Sequence, residues 1–228
     1  MKSALRIFSV ILALLMLSVS LIACNGGGAS KELVFKTSDG VTVAIGAEAV
    51  VTSDADVLRR ADRIILPGVG AFGDAAAKLR NSGLDVIVIE EARKGKPILG
   101  ICLGMQLLFE KSFEYGEHDG LGLVKGEIRP IADVIPKELK IPHIGWNNLS
   151  FGQNKHPLFR YLTEGDCVYF VHSFYGANCD ESVIATAEYG VPLTAAVANG
   201  NVCGCQFHPE KSGRVGLAIL RAFCETEA

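Results

Sequence analysis

The chain has 228 residues, of which 49% are hydrophobic and 21% charged, and its formal net charge is -3 at pH 7. This length suits one large α/β domain or at most two small ones, and the composition excludes a disordered polar chain. The small negative charge provides no basic stripe, so a nucleic-acid-binding protein is not expected.

The N-terminus has the layout of a bacterial lipoprotein signal. Lys2 and Arg6 form a basic start, and an apolar run follows over residues 7–23. The sequence LIAC at 21–24 has the order of a lipoprotein processing site, so Cys24 is a candidate for cleavage and lipidation. The run is short for a stable membrane span. A mis-joined N-terminus on an unrelated domain is the alternative interpretation.

A change of rhythm along the chain predicts its domain organisation. Residues 1–24 are assigned to the signal segment, residues 25–45 to an atypical tether with a possible hairpin, and residues 46–228 to one domain. The hairpin strands are predicted at Leu33–Phe35 and Val41–Val43, on either side of a turn-forming Ser-Asp-Gly sequence.

Within the domain at 46–228, strands and helices are predicted to alternate. Apolar runs predict strands at Ala49–Val51, Ile64–Leu66, Pro97–Ile101 and Cys203–Phe207. Helices are predicted at Ala55–Ala61 with Asp54 as N-cap, from the residue after Cys102 to about Lys111, and at Arg214–Glu225. Residues 120–201 read mostly as β structure. The pattern indicates an α/β fold with a mostly parallel central sheet, helices on both faces and a β-rich insertion in the second half.

A cysteine stands where a predicted strand passes into a helix. The sequence GICLG at 100–104 places small residues two positions on either side of Cys102, which is the spacing of a nucleophile elbow with Cys in place of Ser. The glycines permit a strained turn, and the N-terminus of the following helix stabilises a thiolate. A structural cysteine in a strand–helix turn is the alternative interpretation.

A histidine and a glutamate follow the last predicted strand. His208 and Glu210 would therefore lie at the carboxyl end of the sheet, on the same edge as Cys102. The imidazole can take the thiol proton and later donate it to a leaving amine, and Glu210 can hold its tautomer. The sequence PGVG at 67–70 also ends a strand, and its backbone amides can approach a developing oxyanion, although an ordinary turn would look the same.

The other cysteines of the domain lie mostly in apolar runs and are expected to be reduced and buried. They are Cys167, Cys179, Cys203, Cys205 and Cys224. On one strand, Cys203 and Cys205 would point to the same face. Since no further ligands lie near them in the sequence, core packing is expected there and no metal site.

Five stretches resemble the glutaminase subunits of imidazole glycerol phosphate synthases, a branch of the class I, triad-type glutamine amidotransferases. They are LPGVGAFGDA, GICLGMQLLFE, PHIGWNNL, YFVHSFY and GCQFHPEKSG, in family order from about residue 46 to the C-terminus. The resemblance implies a flavodoxin-like α/β fold and glutamine hydrolysis. It implies that Cys102 forms a glutamyl thioester, that His208 acts as base and acid, and that Glu210 orients the imidazole.

The resemblance also implies the surrounding site residues. Oxyanion donors are implied at Val69, Gly70 and Leu103. Glutamine-binding positions are implied at Gln106, Glu114, Ser173 and Phe174, with Glu114 facing the α-ammonium group. Trp146, Tyr169 and Lys211 would face the cyclase subunit that receives the ammonia, and His143 and His172 would be structural. No metal or organic cofactor is implied.

Residues 1–45 depart from the family pattern, which begins with a central strand, a turn carrying Asn residues that face the cyclase, and a helix. The loss of a central strand would expose two sheet edges. Three interpretations remain: a cytoplasmic histidine-pathway glutaminase in a heterodimer with the cyclase, a membrane lipoprotein anchored through Cys24 with an amidotransferase-like binding module, or an amidotransferase serving another synthase.

Overall fold

The computed structural model describes residues 49–152 and 154–226, together with the backbone of three short strands nearer the N-terminus. Those strands are β1 (Leu21–Ala23), β2 (Val34–Lys36) and β3 (Thr42–Ala44). The predicted lipidation site at Cys24 and most of the predicted signal and tether lie outside the described residues.

The remaining described strands fall into a central sheet and two smaller ones. They are β4 (Val50–Thr52), β5 (Ile64–Leu66), β6 (Ile98–Ile101), β7 (Phe109–Ser112), β8 (His118–Asp119), β9 (Val124–Pro130), β10 (His143–Asn148), β11 (Ser150–Phe151), β12 (Cys167–His172), β13 (Phe174–Ala177), β14 (Val183–Glu188), β15 (Pro192–Asn199) and β16 (Val202–Cys205). The α-helices are α1 (Ala55–Arg60), α2 (Phe72–Asn81), α3 (Leu84–Arg93), α4 (Leu103–Leu107) and α5 (Gly213–Cys224).

The central sheet has the strand order β11-β14-β15-β16-β6-β5-β1-β4. The α/β fold predicted from the alternating pattern is confirmed. Parallel pairing is limited to the neighbours β5, β6 and β16, whereas β11, β14 and β15 pair antiparallel. Short turns connect β14 to β15 and β15 to β16, and short turns join only antiparallel neighbours, so the parallel share of the sheet is smaller than the sequence pattern predicted.

Two hydrophobic cores cover the two faces of the sheet. Along β5 and β6, alternate side chains point to opposite faces, so Ile64 and Ile98 enter one core while Ile65 and Leu99 enter the other. The first core contains apolar residues of α1, α2 and α3, and the second contains those of α5. The prediction of helices on both faces is therefore correct, and the central strands are buried between two packed cores.

The helix predicted from the residue after Cys102 to about Lys111 is too long. Helix α4 ends at Leu107, and Phe109–Ser112 forms β7, which pairs with β8 and β9 in a four-stranded sheet. The stretch FEKS at 109–112 suited either structure, and the tertiary pairing decides it because the ring of Phe109 is fully buried against Gly176. Asp54 caps α1 as predicted, accepting hydrogen bonds from the backbone of Asp56 and Val57.

The N-terminal strands alter the expectation of an incomplete sheet. The hairpin prediction is confirmed with a shift of one residue, since β2 and β3 pair antiparallel with Val34 opposite Ala44. Strand β1 pairs antiparallel with both β4 and β5, so the edge of β5 that faces away from β6 is covered. These three residues belong to the predicted signal segment.

Gly104 packs directly against the backbone of β5, so a larger residue there should destabilise the fold. A Cβ atom on Gly104 would lie 1.7 Å from the carbonyl oxygen of Leu66, a backbone atom of buried β5 that cannot move aside. We expect Gly104→Ala to lower the free energy of unfolding by about 3 kcal/mol or more, measured by urea denaturation. Gly152→Ala is the control, because a Cβ there meets nothing within 4 Å. Equal stability of the two variants would contradict the packing described.

Candidate active site

Cys102 lies at the junction of β6 and α4 in a strained conformation, with φ 52° and ψ -110°. Its backbone N–H donates to the carbonyl of Cys205 at 2.8 Å, which anchors the turn to β16. A Cβ on Gly100 would lie 2.7 Å from backbone atoms of Gly104 and Met105, so the glycine spacing is a steric requirement of this turn. The sharp strand–helix turn predicted around Cys102 is thus present.

His208 and Glu210 meet Cys102 at the same edge of the sheet. Strands β6 and β16 are parallel neighbours with Ile101 opposite Cys205, so the residues that follow them leave the sheet side by side. Nδ1 of His208 contacts Oε1 of Glu210 at 2.7 Å. Burial acts to lower the pKa of His208, but hydrogen bonds to Cys102 and Glu210 outweigh it and raise the pKa to about 9. Since Nδ1 faces Glu210, Nε2 is the ring nitrogen left for the sulfur.

Ser212 holds the backbone of this histidine turn. Its hydroxyl donates to the carbonyl of His208 at 2.6 Å and accepts from the N–H of Tyr169 at 3.0 Å. The N–H of His208 donates in turn to the carbonyl of Tyr169 at 2.9 Å. Ser212 was not among the predicted site residues, although it stands four residues after the histidine in the stretch GCQFHPEKSG. Strand β12 and the histidine turn are therefore joined by two hydrogen bonds, and a third closes the turn on itself.

The predicted oxyanion residues lie next to the nucleophile turn. The chain that leaves β5 passes so close to α4 that a Cβ on Gly68 would lie 3.0 Å from Cβ of Leu103. Val69 is 74% exposed and Gly70 has φ 100°, so this segment faces the open side of the site. The structure thus brings Val69, Gly70 and Leu103 to the same edge as Cys102.

Two of the predicted glutamine-binding residues, Gln106 and Glu114, are held by hydrogen bonds within the protein. Gln106 is buried, and its Nε2 donates to the carbonyl of Phe174 at 3.4 Å and to Oε1 of Gln206 at 3.0 Å. Glu114 is largely buried, and its Oε2 accepts from the backbone N–H of Phe72 at 2.6 Å, at the first residue of α2. One carboxylate oxygen of Glu114 therefore accepts at the N-terminus of α2.

Ser173 and Phe174 stand where β12 passes into β13. The carbonyl of Ser173 accepts from Ile131, and the carbonyl of Phe174 accepts from Nδ1 of His172 at 2.8 Å as well as from Gln106. Both carbonyls are thus held by the protein. The exposed ring of Tyr115 meets Phe174 edge-on at 6.3 Å between centroids.

His143 and His172 form a buried pair behind the site, as expected of structural residues. Nδ1 of His143 and Nε2 of His172 are 3.0 Å apart, and Nε2 of His143 faces the amide nitrogen of Asn147. Because that amide can only donate, both histidines carry their proton on Nδ1. Burial lowers the pKa of His143, and burial is also the main cause that lowers the pKa of His172 to about 4, so both rings are neutral at pH 7.

Trp146, Tyr169 and Lys211, the residues predicted to face a partner, lie together at the surface, where Trp146 and Lys211 are exposed and Tyr169 is half-buried. Trp146 is 59% exposed, and its ring meets Tyr169 at 6.1 Å between centroids. Nζ of Lys211 lies 5.9 Å from the centre of the Tyr169 ring. An exposed Trp backed by a second aromatic ring and a cation is typical of an interface residue rather than of core packing.

The remaining cysteines of the domain differ in their exposure. Cys203 and Cys205 enter the same core as predicted, and burial raises the pKa of Cys203 to about 12. Cys167 is exposed, which corrects the expectation that these thiols are buried, because it begins an outer strand at its open end. Within residues 49–152 and 154–226, no group of three or more His, Cys, Asp or Glu side chains is placed to hold a metal ion.

Comparison with known proteins agrees with this fold. Residues 40–226 match the family of class-I glutamine amidotransferases, and the chain belongs to this family. It is 51% identical over 185 residues to imidazole glycerol phosphate synthase subunit HisH of Wolinella succinogenes, covering 80% of this chain and 90% of that protein. It is 46% identical over 201 residues to the subunit HisH of Oceanobacillus iheyensis, covering 88% and 95%.

Solved structures show the same fold at lower sequence identity. A crystal structure of a glutamine amidotransferase aligns with a TM-score of 0.59 at 19% identity, covering 78% of this chain and 88% of the other. The structure of PurLQS from Thermotoga maritima aligns with a TM-score of 0.55 at 24% identity, covering 72% and 79%. At these identities, the likeness concerns the fold alone.

Proposed function

We propose that this chain hydrolyses glutamine and delivers the ammonia to a cyclase subunit, for imidazole glycerol phosphate synthesis in the histidine pathway. The observation that carries the proposal is the meeting of Cys102, His208 and Glu210 at one sheet edge, in a chain about half identical to HisH subunits. Hydrolysis takes place on this chain, and the lyase step belongs to the partner.

The proposed mechanism is acyl transfer through a thioester. His208 accepts the proton of Cys102, and Sγ attacks the side-chain amide carbon of glutamine. His208 then returns the proton to the leaving nitrogen, which departs as ammonia, and a water molecule activated by the same imidazole hydrolyses the thioester to glutamate. Glu210, 2.7 Å from Nδ1, holds the ring with Nε2 toward the sulfur and stabilises the imidazolium.

The surrounding residues are assigned to binding and charge stabilisation. Backbone amides of Val69, Gly70 and Leu103 donate to the oxyanion of the tetrahedral intermediate. Glu114, whose Oε2 accepts at the N-terminus of α2, pairs with the α-ammonium group of glutamine. Ser173 and Phe174 line the substrate with backbone that the protein already holds.

The decisive test is glutamate release by the full chain, measured with and without a purified cyclase subunit and its nucleotide ligand. We expect release that depends on Cys102 and rises when the cyclase is present. No Cys102-dependent release in either condition would reject the enzyme. Release that a cyclase never stimulates, but another synthase does, would favour the amidotransferase serving a different partner.

The surface cluster of Trp146, Tyr169 and Lys211 is assigned to contact with the cyclase subunit. Trp146→Ala removes the most exposed aromatic side chain of the cluster, and a buried interface Trp typically contributes about 2 kcal/mol or more to binding. We expect the dissociation constant for the cyclase to rise at least about tenfold, measured by titration calorimetry. Val86→Ala, which truncates an exposed side chain on α3, is the control. Equal affinities of the two variants would remove Trp146 from the interface.

The location of the protein follows from the partner, because a cytoplasmic cyclase requires a cytoplasmic glutaminase. The lipoprotein signal at 1–24 opposes this, and cleavage before Cys24 would also remove β1 from the central sheet. No helix among the described residues is long and apolar enough to cross a membrane. Metabolic palmitate labelling in a bacterial host decides between the two: label that is lost in Cys24→Ser would establish the lipoprotein, and its absence supports the cytoplasmic enzyme.

A further inference from the structure

We propose that Gln206 is an additional catalytic residue, whose side-chain amide donates a hydrogen bond to the sulfur of Cys102. Nε2 of Gln206 lies 3.7 Å from Sγ, and the side chain is 0% exposed. The resemblance to known amidotransferases assigned no role to this residue. The inference deepens the proposed function, since it rests on Cys102 being the nucleophile.

The backbone of Gln206 is fixed at the exit of β16. The preceding residue, Cys205, pairs with Ile101, the last residue of the strand that carries the nucleophile. The N–H of Gln206 donates to the carbonyl of Ala195 on β15 at 2.8 Å. The side chain is therefore anchored between two strands, and it approaches the sulfur from the core side of the turn.

Hydrogen bonds decide which end of the amide faces the sulfur. Nε2 of Gln106 lies near two acceptors, the carbonyl of Phe174 and Oε1 of Gln206. The Phe174 carbonyl also accepts from Nδ1 of His172, whose tautomer the neighbouring histidine requires. Because Gln106 must present its nitrogen here, Gln206 presents its oxygen to Gln106 and its nitrogen to Cys102.

The chemistry of the step explains why a donor is needed at this atom. Cys102 packs in an apolar core with Cys203 and Cys205, where a negative sulfur without partners is unfavourable. A hydrogen bond to an ionised acceptor is about twice as strong as one to a neutral acceptor, so the Gln206 amide favours the thiolate over the thiol. The same charge reappears when water breaks the C–S bond of the thioester and the thiolate leaves. Gln206 therefore acts on both halves of the reaction.

This arrangement also changes the interpretation of Gln106. Its amide nitrogen is already occupied by Phe174 and Gln206, so its direct effect on the nucleophile is to hold the Gln206 amide in one orientation. Gln106 is a positioning residue in this respect, acting on the sulfur through its neighbour.

The test measures alkylation of Cys102 by iodoacetamide in the full chain, without glutamine or cyclase, quantified on the Cys102 peptide by mass spectrometry from pH 5 to 10. We expect Gln206→Met, which keeps the volume and removes the donor, to slow alkylation at pH 7 by about tenfold and to displace the pH profile upward. Gln206→Glu keeps the shape and an acceptor for Gln106, but it places a carboxyl oxygen on the sulfur, so a larger loss is expected.

The order of these two variants separates donation from packing. A residue that merely filled space would tolerate Glu better than Met, and this result would overturn the proposal, as would equal rates in all three proteins. Thr194→Val on β15, which removes a buried hydrogen bond to the carbonyl of Gly176 on β13, is the control and should alkylate like the parent chain. If the Gln206 variants fail to fold, Gln106→Met supplies the test, with a smaller loss of the same sign expected and an unchanged rate contradicting the proposal.

Alkylation requires no turnover, so the two proposals fail separately. A chain that shows no glutaminase activity but follows the expected alkylation order would reject the proposed function and retain the contact. Full glutaminase activity in Gln206→Met would reject the catalytic role of Gln206 and retain the proposed function.

Discussion

Replacing Cys102 by serine should lower the kcat of glutamine hydrolysis by at least about 1000-fold, because removal of the nucleophile of a triad abolishes most of its catalysis. A serine hydroxyl at pH 7 is a far weaker acid than a thiol, so His208 cannot produce the nucleophile as readily. The exchange of one atom leaves the turn at φ 52° in place, so glutamine binding should be retained.

The measurement is glutamate release at saturating glutamine with the cyclase present, together with the unfolding temperature of each variant. Cys167→Ser is the matched control, since its thiol is exposed at the start of β12 and outside the site. We expect the control to have the parent rate. Activity in Cys102→Ser within a factor of ten of the parent would mean that another group attacks the amide.

Replacing Glu210 by glutamine should lower kcat by about 100-fold, because the amide keeps a contact at Nδ1 but loses the charge that stabilises the imidazolium. The same change removes one of the causes that raise the pKa of His208 to about 9. In the variant, we expect the His208 ring to titrate at a lower pH, measured by NMR.

The pH dependence of stability has a definite sign. Since the folded-state pKa of His208 is raised from 6.5 to about 9, its contribution to stability is fully present below pH 6.5 and is lost as the pH rises through 9. The parent chain should lose more unfolding free energy over this window than Glu210→Gln. Glu181→Gln, at an exposed position, is the control and should follow the parent. Parallel curves for the parent and Glu210→Gln would show that the carboxylate does not hold the proton on His208.

Local sequence was sufficient to predict a structural feature where that feature depends only on residues within a few positions of each other. The glycine spacing around Cys102 predicted a strained turn, and the close approach of Gly100 and Gly104 to backbone shows why no side chain fits there. The Asp54 cap and the final helix were predictable for the same reason, because a cap and an apolar stripe depend on residues within a few positions.

Prediction failed where a short stretch of sequence suits two structures. Nothing within FEKS at 109–112 distinguishes a helix from a strand, and its pairing with β9, more than ten residues away, makes it a strand. The antiparallel share of the central sheet was missed in a similar way, because only the return of β14 and β15 onto β16 assigns them to that sheet. Gln206 and Ser212 could not be recognised from the sequence, because their hydrogen-bond partners Cys102 and Tyr169 are far away along the chain.

The sequence by itself determined the chemical types present: a cysteine in a strained turn, and a histidine and glutamate at the end of an apolar strand. Tertiary structure alone decided that these groups meet. Parallel pairing of β6 and β16 brings His208 to Cys102 across about a hundred residues, and the same register carries the Gln206 amide to the sulfur. The local sequence around a side chain indicates its chemical role, but the distance between two side chains depends on the register of the strands that carry them.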